Sequence, residues 1–205
     1  MNNKKLLLIT PDFPPMEGGV ARYLQALAEH FKNRIEVLAA PHADWQTFDP
    51  QAGYPVYRAP LLGRLVWPRW LKIVRYLWTY RSRYDVILTS HILPVGAAAW
   101  LAQKITGDPY VVFVHGLDLR LAAAYPRKRR LARRVLKGAR LVVANSHALA
   151  RELARNFGIS EVLIVYPCLP PLPPTPPLPP TPPNPSPFSL LTVSRLVERK
   201  GHAHV

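Results

Sequence analysis

Short, uninterrupted apolar runs alternate along the chain with segments whose apolar positions recur every three or four residues. The runs Leu6–Thr10, Ile35–Ala39, Tyr54–Arg58, Asp85–Thr89, Tyr110–Val114, Leu141–Ala144 and Val162–Tyr166 predict strands. The longer spacing predicts helices over Gly19–Phe31, Leu65–Tyr80, Val95–Ile105, Arg127–Lys137 and His147–Phe157. In the first helix, Val20, Tyr23, Leu24, Leu27 and Phe31 share one face. The last has Asn145 or Ser146 as its N-cap and Gly158 as its stop.

Continuous rather than alternating apolar strands imply burial on both faces, the mark of a parallel sheet covered by helices. Strand–helix alternation then predicts an α/β class, a doubly wound Rossmann-like parallel sheet with helices on both faces. In such folds the binding crevice lies at the carboxyl ends of the strands. The residues to question are therefore Pro11 to Gly19, Ser90 and His91, His115 to Asp118, and Asn145 to His147.

The alternation stops at residue 167. Thirteen of the residues 167–187 are proline, in a near-repeat that forms neither helix nor sheet interior and favours polyproline II. At ~3.1 Å per residue the stretch from Pro170 to Pro187 reaches roughly 55 Å if fully extended. It predicts a semi-rigid linker, with a docking ligand for an aromatic groove as the other reading. The expected organisation is a Rossmann-like domain over 1–166, the proline linker over 167–187, and the first strand and loop of a second domain over 188–205.

Composition adds two constraints. The only cysteine is Cys168, so no internal disulfide forms, which fits a reducing, cytoplasmic setting. Met1–Thr10 has too short an apolar run for a signal peptide, and no stretch is long enough to span a bilayer. The net charge of +15 is local. Residues 64–83 carry Arg64, Arg69, Lys72, Arg75, Arg81 and Arg83. Residues 120–140 carry Arg120, Arg127, Lys128, Arg129, Arg130, Arg133, Arg134, Lys137 and Arg140. Neither segment holds an acid, and the remaining twelve basic residues balance the twelve acidic ones. On a helix over 65–83, Trp67, Trp70, Leu71, Val74, Leu77 and Trp78 oppose Arg69, Lys72, Arg75 and Arg83. That arrangement suits the inner face of an anionic membrane, or a helix packed on the sheet with a solvated basic face. No nucleic-acid recognition motif accompanies the charge, so nucleic acid is not an expected partner.

Three constellations carry chemistry. Gly18-Gly19 precedes a helix, where free N–H groups let a phosphate or a sugar hydroxyl approach closely; an ordinary strand-to-helix turn would look the same. His115 ends a buried strand beside Gly116, placed to orient a hydroxyl, act as a base or lend charge, or simply to fill a structural position. Arg195 and Lys200 flank a strand–loop–helix junction in a way that suits a diphosphate, with solvated surface charges as the other reading. His91 follows another strand. The dinucleotide fingerprint and the Walker A spacing are absent, and so is any metal-ligand cluster.

Together, Phe13-Pro-Pro-Met-Glu-Gly-Gly-Val-Ala-Arg-Tyr23, His115-Gly-Leu-Asp118, Asn145-Ser-His-Ala148 and Val193-Ser-Arg-Leu-Val-Glu-Arg-Lys-Gly-His202 resemble the family 4 glycosyltransferases of the GT-B type. The motifs follow the family's order over nearly the whole chain, which then reads as the amino-terminal, acceptor-binding half, with the donor domain only begun. One departure is Cys168-Leu-Pro170, where the family usually has a Gly and an Asp.

The resemblance implies sugar transfer from a nucleotide diphosphate sugar to a sugar or lipid-linked acceptor, with retention and without a metal or other cofactor. It implies that His115 lies near the transferred sugar. Arg195 and Lys200 would hold the donor diphosphate, with Gly18 and Gly19 approaching it across the cleft. Asp118, Asn145, Ser146 and His91 would line the acceptor side. With most of the donor domain beyond residue 205, the chain alone is expected to turn over little. The competing expectation is a non-catalytic Rossmann-like module that docks through its proline run or its basic face.

Overall fold

The computed structural model describes residues 4–63 and 68–167, all of which fall within one compact unit. Seven strands form a single parallel sheet: β1 (Leu6–Thr10), β2 (Ile35–Ala39), β3 (Val56–Arg58), β4 (Val86–Thr89), β5 (Tyr110–Val114), β6 (Leu141–Ala144) and β7 (Leu163–Ile164). Their spatial order is β3-β2-β1-β4-β5-β6-β7. The chain walks from β1 to β3 in one direction, returns, and walks from β4 to β7 in the other. β1 is central, with Leu8 paired to Val37 on one side and Leu88 on the other. The reversal between β1 and β4 opens a crevice above Thr10 and Thr89, because the connections leave to opposite sides there.

Helices lie on both faces, as the apolar runs predict. α1 (Gly19–His30) packs Leu24 and Ala28 against Leu8, Ile35 and Val37. The other face carries α3 (Leu71–Thr79), α4 (Ala97–Thr106), α5 (Leu117–Ala123), α6 (Pro126–Gly138) and α7 (His147–Phe157), over a core that includes Ile9, Ile87, Val112 and Phe157. A four-residue α2 (Trp45–Phe48) follows β2. On the α1 face, Leu88, Val111, Phe113 and Val143 line an apolar trough of about 700 Å³ beside Tyr23 and Leu27.

Several boundaries differ from the sequence reading. The helix expected over Leu65–Tyr80 begins at Leu71, after a turn in which Leu71 N–H donates to the Pro68 carbonyl. Its buried residues are Ile73 and Leu77, while Trp78 stays about half exposed, so its apolar side packs on the core. Residues 64–67, including Arg64 and Trp67, lie outside the described residues. The strand expected from Tyr54 starts at Val56, after Pro55, which has no N–H to give a ladder. α4 is preceded by a wide turn over Ile92–Gly96, where Gly96 N–H donates to the His91 carbonyl. The 167–187 linker, apart from Pro167, and the 188–205 strand and loop also lie outside the described residues.

α6 shows how the basic segment is accommodated. Ala132, Val135 and Leu136 face the core, and every Arg and Lys of this helix is exposed. No helix among the described residues is long and apolar enough to cross a membrane.

Candidate active site

The loops after β1, β4 and β5 meet at the crevice. Thr10, fully buried, starts the first loop: its hydroxyl accepts from the Asp12 N–H at 3.0 Å and donates to the Asp12 carbonyl at 2.9 Å. This fixes Asp12 two residues beyond the strand. From the β4 loop, His91 Nε2 lies 3.3 Å from Asp12 Oδ2, and its Nδ1 is hydrogen-bonded to Ser90 Oγ at 2.7 Å. The imidazole is thus gripped at both nitrogens. The Asp12 carboxyl is held below its usual range, chiefly by the hydrogen bond to His91, with burial opposing.

His115 ends β5. Its ring meets Tyr23 of α1 edge-on at 5.4 Å between centroids and lies 6.1 Å from the His91 ring. Its Nε2 is buried and meets no hydrogen-bond partner among the described residues. Burial, reinforced by the nearby His91, pushes its pKa down to about 4, with Asp12 acting in the other direction. At neutral pH it is a neutral imidazole with one unused nitrogen. Such a group suits hydrogen bonding to a hydroxyl better than carrying a positive charge.

Asp118 lies in the first turn of α5 and is buried. Its two oxygens accept from the His115 N–H at 3.0 Å and the Ile92 N–H at 3.2 Å. One carboxylate thereby clamps the ends of β4 and β5. Burial raises its pKa, while His91 and the backbone donors work against that rise. Gly116 supplies the turn that makes the clamp reachable, at φ 87°, in the region that favours glycine.

Gly18 caps the start of α1 and Gly19 begins it. A Cβ at either position would meet nothing within 4 Å. Packing does not require glycine at either position. Ser146 is the N-cap of α7, its Oγ accepting from the Leu149 N–H at 3.2 Å. Asn145, just after β6, is partly exposed. Arg195 and Lys200 lie outside the described residues.

Asp12, His91, His115 and Asp118 together line one cavity of about 600 Å³, walled by Trp70, Leu93, Leu117 and Leu121 and flanked by Arg69 and Lys128. The structure therefore joins His91, His115 and Asp118, as the positions after the strands suggest. It adds Asp12 and Tyr23, which the sequence reading left among loop and core residues. Asp12 had a signal in its place two residues past β1. Tyr23 had none beyond its distance of about one turn from Gly19. Among the described residues, no group of three or more His, Cys, Asp or Glu is placed to share a metal ion.

Solved structures share this fold. HepE of Anabaena, determined with UDP and glucose, superposes with a TM-score of 0.63 at 22% identity, over 81% of this chain and 45% of its own. The Arabidopsis thaliana enzyme UGT89C1, determined with UDP-L-rhamnose, gives 0.56 at 14% identity, over 82% and 53%. The lipopolysaccharide outer core galactosyltransferase WaaB gives 0.53 at 15% identity, over 79% and 45%. The chain thus spans about half the length of these structures. No curated protein matches it in sequence. Residues 18–168 match the family model described as the glycosyl transferase 4-like domain, and with three of the four loops above inside that match, the chain belongs to the glycosyl transferase 4-like family.

Proposed function

We infer that this domain is the acceptor-binding half of a glycosyltransferase that moves a sugar from a nucleotide diphosphate sugar to an acceptor hydroxyl. The observation that carries the reading is the meeting of Asp12, His91 and His115 at the strand-order reversal. Family membership and the UDP-sugar complexes of HepE and UGT89C1 support the donor class. His115, neutral and with Nε2 unused, hydrogen-bonds a hydroxyl of the transferred sugar. The paired Asp12 and His91 orient the acceptor hydroxyl and Asp118 fixes the turn that presents His115. Asn145 and Ser146 border the acceptor side.

The departing diphosphate gains negative charge, which preorganised donors stabilise. The open N-terminus of α1 at Gly18 and Gly19 serves this end, and Arg195 with Lys200 neutralises the rest without a metal. Transfer proceeds with retention. Turnover draws on a donor half together with this acceptor half. The enzyme works in the cytoplasm, peripheral on the anionic inner face of the membrane.

The test uses a chain extended through a donor half. Nucleoside diphosphate release from a panel of nucleotide sugars, with candidate acceptors present, should fall by about 10²-fold in His115→Ala. Release equal in wild type and variant would remove His115 from the reaction. Failure to bind any nucleotide sugar would refute the reading.

A further inference from the structure

We propose that a tyrosine-rimmed cavity beside α3, outside the crevice, is a second saccharide site, which takes a neutral sugar ring and no part in the transfer step.

The connection from β2 to β3 packs Phe48 on the α1 face. On the other face, the β2–β3 edge relies on α3 and the turn Arg81–Arg83 that follows it. A cavity of about 360 Å³ lies there, within the size range of small-ligand sites. Its floor is Leu7 of β1, Leu38 of β2 and Tyr84, all buried, and its rim is Tyr57, Tyr80 and Arg83, all exposed. The crevice is elsewhere. Trp70 walls the cavity of Asp12 and His115, whereas Tyr76 and Tyr80 wall this one. Trp70 and Tyr80 cap the two ends of α3, about 15 Å apart along its axis.

The side chains of the rim select a chemistry. Tyr84 is committed to the fold, its hydroxyl donating to the Leu77 carbonyl at 2.8 Å. Tyr57 and Tyr80, in contrast, are 40% and 45% exposed. Arg83 lies between them, its Cζ 5.1 Å from the Tyr57 ring centroid and 5.9 Å from that of Tyr80. Its Nη2 donates to the Tyr57 hydroxyl at 2.6 Å and to Glu36 Oε1 at 3.1 Å. One cation and one anion of the lining are thus already matched. The other charged residue of the lining, Arg58, is committed to Asp49 and two backbone carbonyls.

An incoming cation would meet Arg83 at the ring faces it needs. An incoming anion would compete with Glu36 for Arg83 and be repelled by it. A wholly apolar ligand would cut the Arg83–Glu36 pair off from water. A sugar ring meets none of these objections. Its C–H faces lie on the exposed tyrosine rings, and its hydroxyls both accept from the guanidinium and donate to the carboxylate.

The test is binding without any nucleotide sugar, so it can fail while sugar transfer stands. The 205-residue chain is titrated with maltose, cellobiose and lactose, and with glucuronate, tetramethylammonium and adenosine, while the tyrosine ring NMR signals are followed. At least one of the neutral disaccharides should shift the Tyr57 and Tyr80 signals, and bind at least about tenfold tighter than the other three probes. Tyr80→Ala should weaken that binding by about tenfold. Glu36→Gln removes the anion that guards Arg83, and should turn the preference toward glucuronate. His115→Ala should leave the titration unchanged, because the crevice is not used. The proposal is overturned if no disaccharide shifts these signals up to about 50 mM, where even a weak site fills. Equal binding of glucuronate or adenosine by the wild-type chain overturns it too, as does loss of the shifts in His115→Ala. So does a Tyr80→Ala protein with wild-type circular dichroism and wild-type titration.

Discussion

His91 Nε2 and Asp12 Oδ2 lie 3.3 Å apart and join the loops after β4 and β1 across the line where the strand order reverses. The pair carries opposite charges only when the imidazole is protonated. The hydrogen bond to His91 holds the Asp12 carboxyl below its usual range, so the stability it contributes is present above that range and lost as the pH falls through it; Asp12→Asn should therefore cost more stability at pH 7 than at pH 3, by about 1 kcal/mol. Urea unfolding at both pH values reads the difference. An equal cost at both would mean that the carboxylate acts only as a neutral hydrogen-bond partner.

His115 predicts a second pH effect, of definite sign. Its folded pKa of about 4 lies below the ordinary histidine value, so between about pH 6.5 and 4 the unfolded chain binds the extra proton. Stability from this group is intact above that window and falls as the pH drops through it, by about 2 kcal/mol after allowing for its partial exposure. His115→Asn should flatten that part of the stability profile. Denaturant midpoints at half-unit steps from pH 7 to 4 would show it, and parallel profiles for the two proteins would refute it.

Arg58 makes a third case. Its guanidinium is almost completely buried, pairs with Asp49 at 2.6 Å, and donates to the Ala40 carbonyl at 3.1 Å and to the Pro14 carbonyl. It ties the loop that leads to Gly18 back to the sheet edge. Arg58→Met strands the nearly buried Asp49 carboxylate and should cost about 3–5 kcal/mol in urea unfolding. A loss below 1 kcal/mol would show that Asp49 finds water instead.

Gly96 supports His91 from behind. A Cβ there would stand 2.9 Å from the His91 carbonyl oxygen and 3.0 Å from Val135 Cγ1. Gly96→Ala should cost about 1–3 kcal/mol and displace the His91 ring, detectable as a change in its NMR shifts. Unchanged shifts with full stability would show that the turn yields freely.

The sheet was legible because its strands are continuous apolar runs. β1, β2, β5 and β6 begin and end where the residues alone place them, and so does α7, bounded by Ser146 and Gly158. α5 was missed because Leu117, Leu119 and Leu121 alternate with polar or small residues and carry no helical period; Gly116 and the Asp118 clamp make that turn helical. α3 was drawn too long because Pro68 and Trp70 continue an apolar pattern through a turn. At the site, the positions of His91 and His115 after strands were readable. Their partners were not, since the link from Asp12 to His91 and the contact from Tyr23 to His115 depend on which strands neighbour each other.

The Tyr23–His115 contact also makes a natural gauge. One ring rides on α1 and the other on the end of β5, so they meet only when the helix has closed over the completed sheet. An imidazole at the edge of a phenol ring resonates away from its solvent frequency. The carbon-bound protons of His115 should therefore report, from a single residue and without any added probe, the moment at which the two halves of the sheet become one domain.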